Sequence, residues 1–272
     1  MKVKQVKIDF NVTPEIKRYV FVYVIMTDDG CYLIDSGLAG SEAIIEKSLV
    51  ENGYRPADVK AIFLTHAHPD HIGSANYFRS RYGAKIYASE GERPWIEDID
   101  LQFKERPIPN FYNLAGQSTI VDCLVKDHDI VRLSEEIAIE VIETPGHSTD
   151  EVSYRLNDMI FIGDAVPVKG DIPIFIDVKK TKNTLRIFEE LSEVKYFYPA
   201  WDQTYSHDMM QTKIAEGKEI VNQLETIVRR IDTGMDILEL VDKVCESMKM
   251  PMLKSNPLFA RTVEACRVGV RR

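Results

Sequence analysis

The chain has 272 residues, 44% of them hydrophobic, so it is long enough and apolar enough to bury a substantial core. With 34 basic and 43 acidic residues it carries a formal charge of −9, which argues against a protein whose main partner is nucleic acid. No run is apolar enough to predict a membrane-spanning helix, and residues 1–10 do not resemble a secretion signal. The four cysteines form no C-x-x-C pair, so we predict reduced thiols in a cytoplasmic protein.

The first part of the chain predicts strands joined by two helices. Alternating or β-branched runs predict strands over residues 3–10, 19–27, 31–34, 59–64 and 84–88. Asp28-Asp29-Gly30 predicts a hairpin turn between the second and third strands, because Gly30 suits a positive φ. Helices are predicted from Ser41, as the N-cap, to Asn52, with Gly53 as the stop, and over residues 72–82.

Residues 90–117 predict irregular structure that is rich in aromatic residues and proline. Such a stretch is typical either of a binding loop or lid, or of a surface excursion that packs its own side chains. Beyond it, strands are predicted over 130–133, 137–143, 152–156, 159–162 and 194–198, and helices over 181–191, 209–231, 236–248 and 257–268. This order predicts a layered α/β domain over 1–205 and a helical C-terminal extension over 206–272 that packs on the same domain.

The segment His66-Ala67-His68-Pro69-Asp70-His71 combines three histidines and one aspartate within six residues. It follows a predicted buried strand and precedes a predicted helix, a junction at which side chains at the end of a sheet can form a site. Half of the six histidines in the chain lie in this loop. Because imidazole and carboxylate groups are common ligands of Zn²⁺, the loop predicts a metal site.

The same segment matches the H-x-H-x-D-H signature of the metallo-β-lactamase superfamily, and three further motifs extend the resemblance over residues 1–205. They are Leu33-Ile34-Asp35-Ser36-Gly37, Thr144-Pro145-Gly146-His147-Ser148 and Phe161-Ile162-Gly163-Asp164. Each short motif is a weak signal alone, but their combination and order are specific. The resemblance implies an α/β fold, a four-layer αββα sandwich of two mixed β-sheets flanked by helices, with a helical C-terminal extension.

The resemblance also implies a role for each matching residue at a site for two divalent metal ions. His66, His68 and His147 would bind the first ion, Asp70 and His71 the second, and Asp164 would bridge them. Asp35 would orient the histidine loop through hydrogen bonds. Asp70 would also be catalytic, orienting the nucleophile and passing a proton to the leaving group. Zinc is the expected metal, with iron or manganese as alternatives.

The chain departs from the family where a last histidine, a ligand of the second metal, is expected after a Pro-Gly pair. The corresponding stretch is Tyr198-Pro199-Ala200-Trp201-Asp202, and the Trp201 indole cannot ligate a metal. We predict that Asp202 supplies the missing ligand, with His207 or no protein ligand as the alternatives. A second departure is Asp150, where a small residue is common. Asp150 is predicted to cap a turn, with added charge beside the site as the alternative.

The implied activity is hydrolysis by a metal-activated hydroxide that attacks a carbonyl carbon or phosphorus. The sequence contains no G-x-S-x-G elbow and no Walker A loop that would indicate another mechanism. The acidic charge argues against nucleic acid and the lack of a predicted export signal against β-lactams. We therefore predict a glyoxalase II-like hydrolase of a small intracellular ester, thioester or lactone. The alternatives are a mononuclear-iron oxygenase similar to persulfide dioxygenases, a phosphodiesterase, or a non-catalytic metal-binding sensor or scaffold.

A small-molecule substrate is the predicted partner, with no nucleic acid and no membrane. The aromatic stretch from Trp95 to Tyr112 and the helical extension are candidates for an acyl pocket. Tyr205 or Tyr112 could hold the substrate oxygen, although core or rim positions are expected for both. The apolar faces of the C-terminal helices are predicted to pack on the αββα body, and the alternative is a second subunit in a homodimer.

Overall fold

A computed structural model describes residues 1–11, 17–254 and 256–271 and contains two β-sheets packed face to face, with helices on their outer faces. This is the four-layer αββα sandwich implied by the sequence resemblance, followed by C-terminal helices. Each sheet has six strands within the described residues. The division of the chain at residue 205 stays a prediction.

Sheet A is built from the first half of the chain. Its strands are β1 (Lys2–Asn11), β2 (Lys17–Thr27), β3 (Gly30–Ile34), β4 (Val59–Phe63), β5 (Lys85–Ser89) and β6 (Cys123–Val125), in that spatial order. β1, β2 and β3 pair antiparallel, and Gly30 ends the predicted hairpin turn with a φ of +139°. From β3 to β6 the pairing is parallel, so the C-terminal ends of these strands lie along one edge.

Sheet B is built from the second half. Its strands are β7 (Ile130–Arg132), β8 (Ala138–Glu143), β9 (Val152–Leu156), β10 (Met159–Gly163), β11 (Tyr196–Pro199) and β12 (Tyr205–Ser206). They lie in the order β12-β11-β10-β9-β8-β7, and only the pair β10 and β11 is parallel among these described strands. The sequence did not predict β6 and β12, because three and two residues are too few to show a periodicity.

The helices differ from the sequence prediction mainly around the histidine loop. They are α1 (Glu42–Glu51), α2 (Pro69–Ile72), α3 (Ala75–Tyr82), α4 (Arg93–Glu97), α5 (Ile99–Glu105), α6 (Phe111–Ala115), α7 (Val178–Glu190), α8 (His207–Ile231), α9 (Ile237–Met248) and α10 (Pro257–Arg271). The single helix predicted over 72–82 is interrupted, because the Gly73 N–H donates to the carbonyl of Gly37 at 2.7 Å. Ser41 precedes α1 but its side chain makes no capping bond, since its own backbone is already helical.

Residues 90–117, predicted to be irregular, contain the three short helices α4, α5 and α6. Pro94 lies in the first turn of α4, where its missing N–H costs nothing, and Asp98 caps α5 by accepting from Leu101 N at 2.9 Å. α5 then packs on the histidine loop, where Gln102 Nε2 donates to the Ala67 carbonyl at 2.6 Å. The segment therefore contacts the histidine loop rather than packing only on itself.

Aromatic side chains fill the space between the sheets and fix their ends relative to each other. Phe63, Tyr154 and Phe161 belong to this buried core. The Tyr154 hydroxyl on sheet B donates to the carbonyl of Leu64, directly after β4 on sheet A, at 2.8 Å. The Tyr23 hydroxyl on sheet A donates to the carbonyl of Pro199 on sheet B at 2.6 Å. These cross-links hold the strand ends that carry the site.

The C-terminal helices bury their apolar faces against the preceding part of the chain and against one another. α8 packs on α7, β11 and β12, and α10 packs on α7, α8 and α9. Thr262 on α10 donates to the carbonyl of Pro173 at 2.9 Å and accepts from Phe175 N at 3.1 Å. Within the described ranges, no helix combines the length and apolar character needed to cross a bilayer.

Candidate metal centre

The site lies where strands of both sheets end. Sheet A contributes Asp35 after β3 and the loop of residues 65–71 after β4. Sheet B contributes His147 after β8 and Asp164 after β10. Strands that end at a common edge present the side chains of the following loops to one another, so residues far apart in sequence converge.

Three imidazoles meet at the first part of the site. Both His66 Nε2 and His147 Nε2 lie 2.9 Å from His68 Nδ1. Asp164 Oδ2 lies 3.4 Å from His147 Nε2 and 4.0 Å from His66 Nε2. Ligands about 2.0–2.1 Å from one tetrahedral zinc ion stand about 3.3 Å apart, so these four side chains fit a single divalent ion.

In two of these rings, the nitrogen that points away from the cluster lies beside a hydrogen-bond acceptor. The ring proton is therefore on that outer nitrogen, and the nitrogen that faces the cluster keeps a lone pair. His147 Nδ1 lies 3.0 Å from the Ile174 carbonyl, which can only accept a proton. His66 Nδ1 lies 3.0 Å from Thr65 Oγ1, whose own proton goes to Asp35. The protons therefore sit on the outer nitrogens, and the inner Nε2 atoms are free to bind a metal.

The second part of the site consists of Asp70, His71 and Asp164. His71 Nε2 lies 3.6 Å from Asp70 Oδ2 and 3.4 Å from Asp164 Oδ2. His71 Nε2 and Asp164 Oδ1 are buried and have no hydrogen-bond partner. Unpartnered donor and acceptor atoms in a buried site are expected where a metal ion completes the coordination. Asp164 Oδ2 belongs to both groups and can bridge two ions.

Electrostatics keep three of the four imidazoles neutral. Burial lowers the pKa of His66 and His68 well below the usual value, and the neighbouring imidazoles add to the effect. Burial also lowers the pKa of His147, to about 4. At neutral pH these rings are unprotonated, which is the form that binds metal.

His71 and the carboxyls around it behave differently. Burial alone would lower the pKa of His71, but Asp164, Asp35 and Asp70 raise it well above its usual value. Burial would raise the pKa of Asp164, yet His71 and His147 bring it below the ordinary range. Burial raises the pKa of Asp70, against the opposing effect of His71. This half of the site is thus rich in negative charge and suited to a cation.

Asp35 supports the histidine loop as the sequence resemblance implied. Its Oδ2 lies 2.8 Å from His71 Nδ1, and its Oδ1 accepts from Thr65 N at 2.8 Å. Asp35 has a φ of +58°, a conformation that costs free energy for a residue other than glycine. The strained turn places the Asp35 carboxylate within hydrogen-bond distance of both ends of the histidine loop.

Two buried glutamates at the site were missed by sequence reasoning. Glu151 Oε1 accepts from Asp164 N at 3.0 Å and lies 3.6 Å from His66 Nδ1. Glu92 Oε2 accepts from Ala67 N at 2.9 Å, and its Oε1 accepts from the Ser148 hydroxyl at 2.6 Å. Glu92 thus joins the histidine loop to the loop that carries His147. Only the position of Glu151 close after His147 hinted at such a role.

The structure does not bring Asp202, predicted to replace the last histidine, together with the other candidate ligands. Neither group of candidate ligands in the described residues includes Asp202. Its carboxylate accepts from the Tyr205 hydroxyl at 2.8 Å and lies 3.5 Å from Lys213 Nζ on α8. The alternative residue, His207, is not in either group and has its Nδ1 3.0 Å from the Val194 carbonyl.

Trp201 reaches the site instead. Its indole N–H helps to lower the pKa of Asp164, which burial raises and which His71 and His147 lower more strongly. The indole nitrogen is buried without a hydrogen-bond partner. The ring also packs edge-on against Phe10, with 5.9 Å between the ring centroids. Trp201 therefore lies near Asp164, in place of the expected histidine, without offering an atom that can ligate a metal.

Asp150, Tyr205 and Tyr112 were considered in the sequence as residues near the site. Asp150 caps a turn, as expected, since its Oδ2 accepts from Gly91 N at 2.7 Å. Tyr205 is fully buried in the core, and its hydroxyl is bonded to Asp202. Tyr112 lies exposed at the surface and donates to Asp100 at 2.8 Å. Both tyrosines therefore occupy the core and rim positions that were expected.

Comparison with known proteins gives a family and a set of relatives. The family model described as the metallo-beta-lactamase superfamily matches residues 16–201. The probable metallo-hydrolase YqgX of Bacillus subtilis (strain 168) is 30% identical over 152 residues, 53% of this chain and 64% of the relative. A hydroxyacylglutathione hydrolase of Bradyrhizobium sp. (strain ORS 278) is 28% identical over 141 residues, 49% of this chain and 45% of the relative. The chain thus spans less than two thirds of the length of these relatives.

Solved structures agree with the fold over nearly the whole chain. A metallo-beta-lactamase family protein from Thermus thermophilus has a TM-score of 0.78 at 18% identity, covering 99% of this chain and 93% of that one. A beta-lactamase domain protein from Burkholderia ambifaria has a TM-score of 0.72 at 15% identity, covering 98% and 87%. At these identities the likeness concerns the fold alone. The family match over most of the chain shows that this protein belongs to the metallo-beta-lactamase superfamily.

Proposed function

We propose that this protein is a metal-dependent hydrolase of a small ester, thioester or lactone, with a dinuclear metal centre. One observation carries the proposal: buried imidazoles and carboxylates from both sheets direct their donor atoms at one another. Outer ring nitrogens among them are held by hydrogen bonds, as the ligands of a preorganised metal site require. The similarity to a hydroxyacylglutathione hydrolase supports a thioester as the substrate.

Each candidate ligand would have a distinct role in metal binding. His66, His68 and His147 would hold the first ion, and Asp70 and His71 the second, with Asp164 between them. Zinc suits this donor set. Bound divalent ions of this kind supply a nucleophile at neutral pH by lowering the pKa of water, and polarise the substrate oxygen. Asp70 would take a proton from the attacking water and return it to the leaving sulfur or oxygen.

The organic part of the substrate would lie against the aromatic residues of α5 and α6. A cavity of about 340 Å³ is lined there by Phe103, Ile108, Asn110, Phe111, Tyr112 and Asn113. Its volume suits a small acyl group. The four cysteines are all free, with Cys31, Cys245 and Cys266 buried, which supports a reducing compartment such as the cytoplasm.

A second candidate, a mononuclear iron oxygenase, is favoured by Trp201. Because Trp201 stands where the family has a histidine ligand, the ligand group for the second ion in the described residues consists of Asp70, His71 and Asp164. Because Asp164 also belongs to the first group, Asp70 and His71 alone would be specific to the second ion, so a single ion would be bound at the first position.

Metal analysis and turnover together test both candidates. Protein purified without added metal should contain two equivalents of divalent metal, and His66→Ala should lose them. Thioester, ester and lactone substrates should then be tested with zinc-, iron- and manganese-loaded protein. One equivalent of iron with oxygen consumption would favour the second candidate. Absence of hydrolysis with every metal and every substrate would contradict the proposed hydrolase.

A further inference from the structure

Arg106 is a buried cation that the proposed catalytic arrangement does not use. It directly follows α5, and only 5% of the residue is exposed. Its Nη1 atom is fully buried and has no hydrogen-bond partner. A guanidinium group has five N–H donors, so leaving one without a partner inside a protein costs free energy. This is expected where a ligand supplies the acceptor.

Two observations place Arg106 close to the histidine loop. Gln102, one helical turn earlier, donates to the Ala67 carbonyl inside the histidine loop, and its own carbonyl accepts from Arg106 N at 2.7 Å. Arg106 therefore directly follows the turn of α5 that lies against the histidine loop. After burial, the charge of Arg106 is the largest cause of the low pKa of His68.

A second guanidinium stands behind the first. Arg261 on α10 is partly buried and donates to the carbonyl of Glu105, the residue before Arg106. Burial lowers the pKa of Arg106 to about 10; Arg261 adds to this, while Asp70 and Asp164 oppose it. Arg106 therefore stays cationic at neutral pH, and the fold brings two like charges together at this point.

Metal binding would leave these charges less compensated. Asp70 and Asp164 are the carboxylates of the two candidate ligand groups. Two divalent ions would add four positive charges to a site whose buried acids are these two ligands together with Asp35, Glu92 and Glu151. Arg106 would then be a fixed cation beside two metal ions, where the local potential favours an anionic group of a ligand.

We propose that Arg106, positioned by Arg261, binds an oxyanionic group of the substrate, so that the protein selects esters or thioesters that carry a carboxylate or a phosphate. The planar guanidinium matches both groups through paired hydrogen bonds. This inference rests on the proposed hydrolase function, because it concerns the substrate of that hydrolase. The anion site itself is tested separately below.

Three thioesters that differ in one group test the selectivity. One carries a methyl ester, one a free carboxylate and one a phosphate monoester at the same position. With zinc-loaded protein, one of the anionic substrates should exceed the neutral one in kcat/KM by about 10- to 100-fold, the range of a charged hydrogen bond. Which anion is preferred identifies the group. Equal kcat/KM for all three substrates would overturn the proposal.

Variants then assign the preference to Arg106. Arg106→Gln should reduce it to about threefold or less, and Arg106→Lys should retain part of it, because lysine keeps the charge but not the paired donors. Arg261→Ala should give an intermediate loss through displacement of Arg106. Arg132→Gln, at an exposed residue of β7, removes the same charge and should retain the full preference. An undiminished preference in Arg106→Gln would contradict the assignment.

Binding without turnover separates this inference from the proposed function. Calorimetric titration of zinc-loaded protein with inorganic phosphate and with acetate should show binding by the unaltered protein and by Arg132→Gln. Arg106→Gln should bind at least about tenfold more weakly while keeping the same metal content. That result supports the anion site even if no thioester is hydrolysed. Equal binding by all three proteins would overturn it.

Discussion

The carboxylate of Asp35 bonds the Nδ1 atom of His71 at 2.8 Å and, through its other oxygen, the backbone N–H of Thr65 at 2.8 Å. One side chain thus holds both ends of the histidine loop. It also fixes the orientation of the His71 ring, since the carboxylate accepts the Nδ1 proton and Nε2 faces Asp70 and Asp164. The positive φ of Asp35 is the local cost of this arrangement.

Replacing Asp35 with asparagine should weaken binding of the second metal by about 10- to 100-fold. The amide can still accept from Thr65, but its NH₂ group cannot accept the His71 proton. Metal titration in the presence of a competing chelator measures the effect. Asp29→Asn, in the exposed hairpin turn, is the matched control and should leave metal affinity unchanged. Equal affinity in both variants would show that Asp35 does not orient His71.

Replacing Trp201 with histidine should strengthen the second metal site by about tenfold or more, because an imidazole would stand where the family has its last ligand. Trp201→Phe removes the same indole without adding a ligand and should give no gain. Both variants lose packing against Phe10 and should be somewhat less stable to urea. A gain in metal affinity in the phenylalanine variant would contradict this interpretation, since it would mean that the indole merely obstructs the site.

Replacing Glu92 with glutamine should lower the free energy of unfolding by about 1–3 kcal/mol. Glu92 accepts from Ala67 N, the Ser148 hydroxyl and Asp150 N, and an NH₂ group would face one of these donors. Urea denaturation measures the loss, with Glu90→Gln at an exposed neighbouring position as the control. If the two variants were equally stable, Glu92 would not be the link between the two ligand loops.

Two glycine-to-alanine substitutions should have opposite effects. A Cβ at Gly73 would lie 2.2 Å from Ala39 N and 2.3 Å from the Leu114 carbonyl oxygen, so Gly73→Ala should destabilise the fold by about 1–3 kcal/mol or more. A Cβ at Gly217, within α8, would meet the Leu185 methyl groups at 3.4 Å. Gly217→Ala should therefore stabilise the helix by about 0.5–1 kcal/mol. Urea denaturation of both variants checks the predicted signs.

The sequence predicted the parts of the site that depend on short motifs. The residues from His66 to His71 are contiguous, and strand ends of a layered α/β fold bring such loops together, so their convergence with His147 and Asp164 followed from the family pattern. Asp202 is not grouped with these ligands, because its position depends on the direction of the chain after β11. That direction is set by contacts with Tyr205 and Lys213, which the motif does not contain.

Glu92 and Arg106 could not be predicted for a different reason. Each is a single charged residue in a segment without a clear period, where a solvated surface position is the ordinary expectation. Their burial depends on partners distant in sequence: Glu92 bonds Ser148, 56 residues away, and Arg106 follows the helix that packs on Ala67. The split of the predicted helix at Gly73 likewise depends on a distant carbonyl, that of Gly37.

The candidate ligands come from both sheets, and this has a consequence for the life of the protein in a cell. A metal pair would join the two halves of the sandwich, so its binding free energy would add to that of folding. Molecules made when metal is scarce would open more often and be degraded sooner. The steady amount of this protein would then follow the supply of metal, even at a constant rate of synthesis.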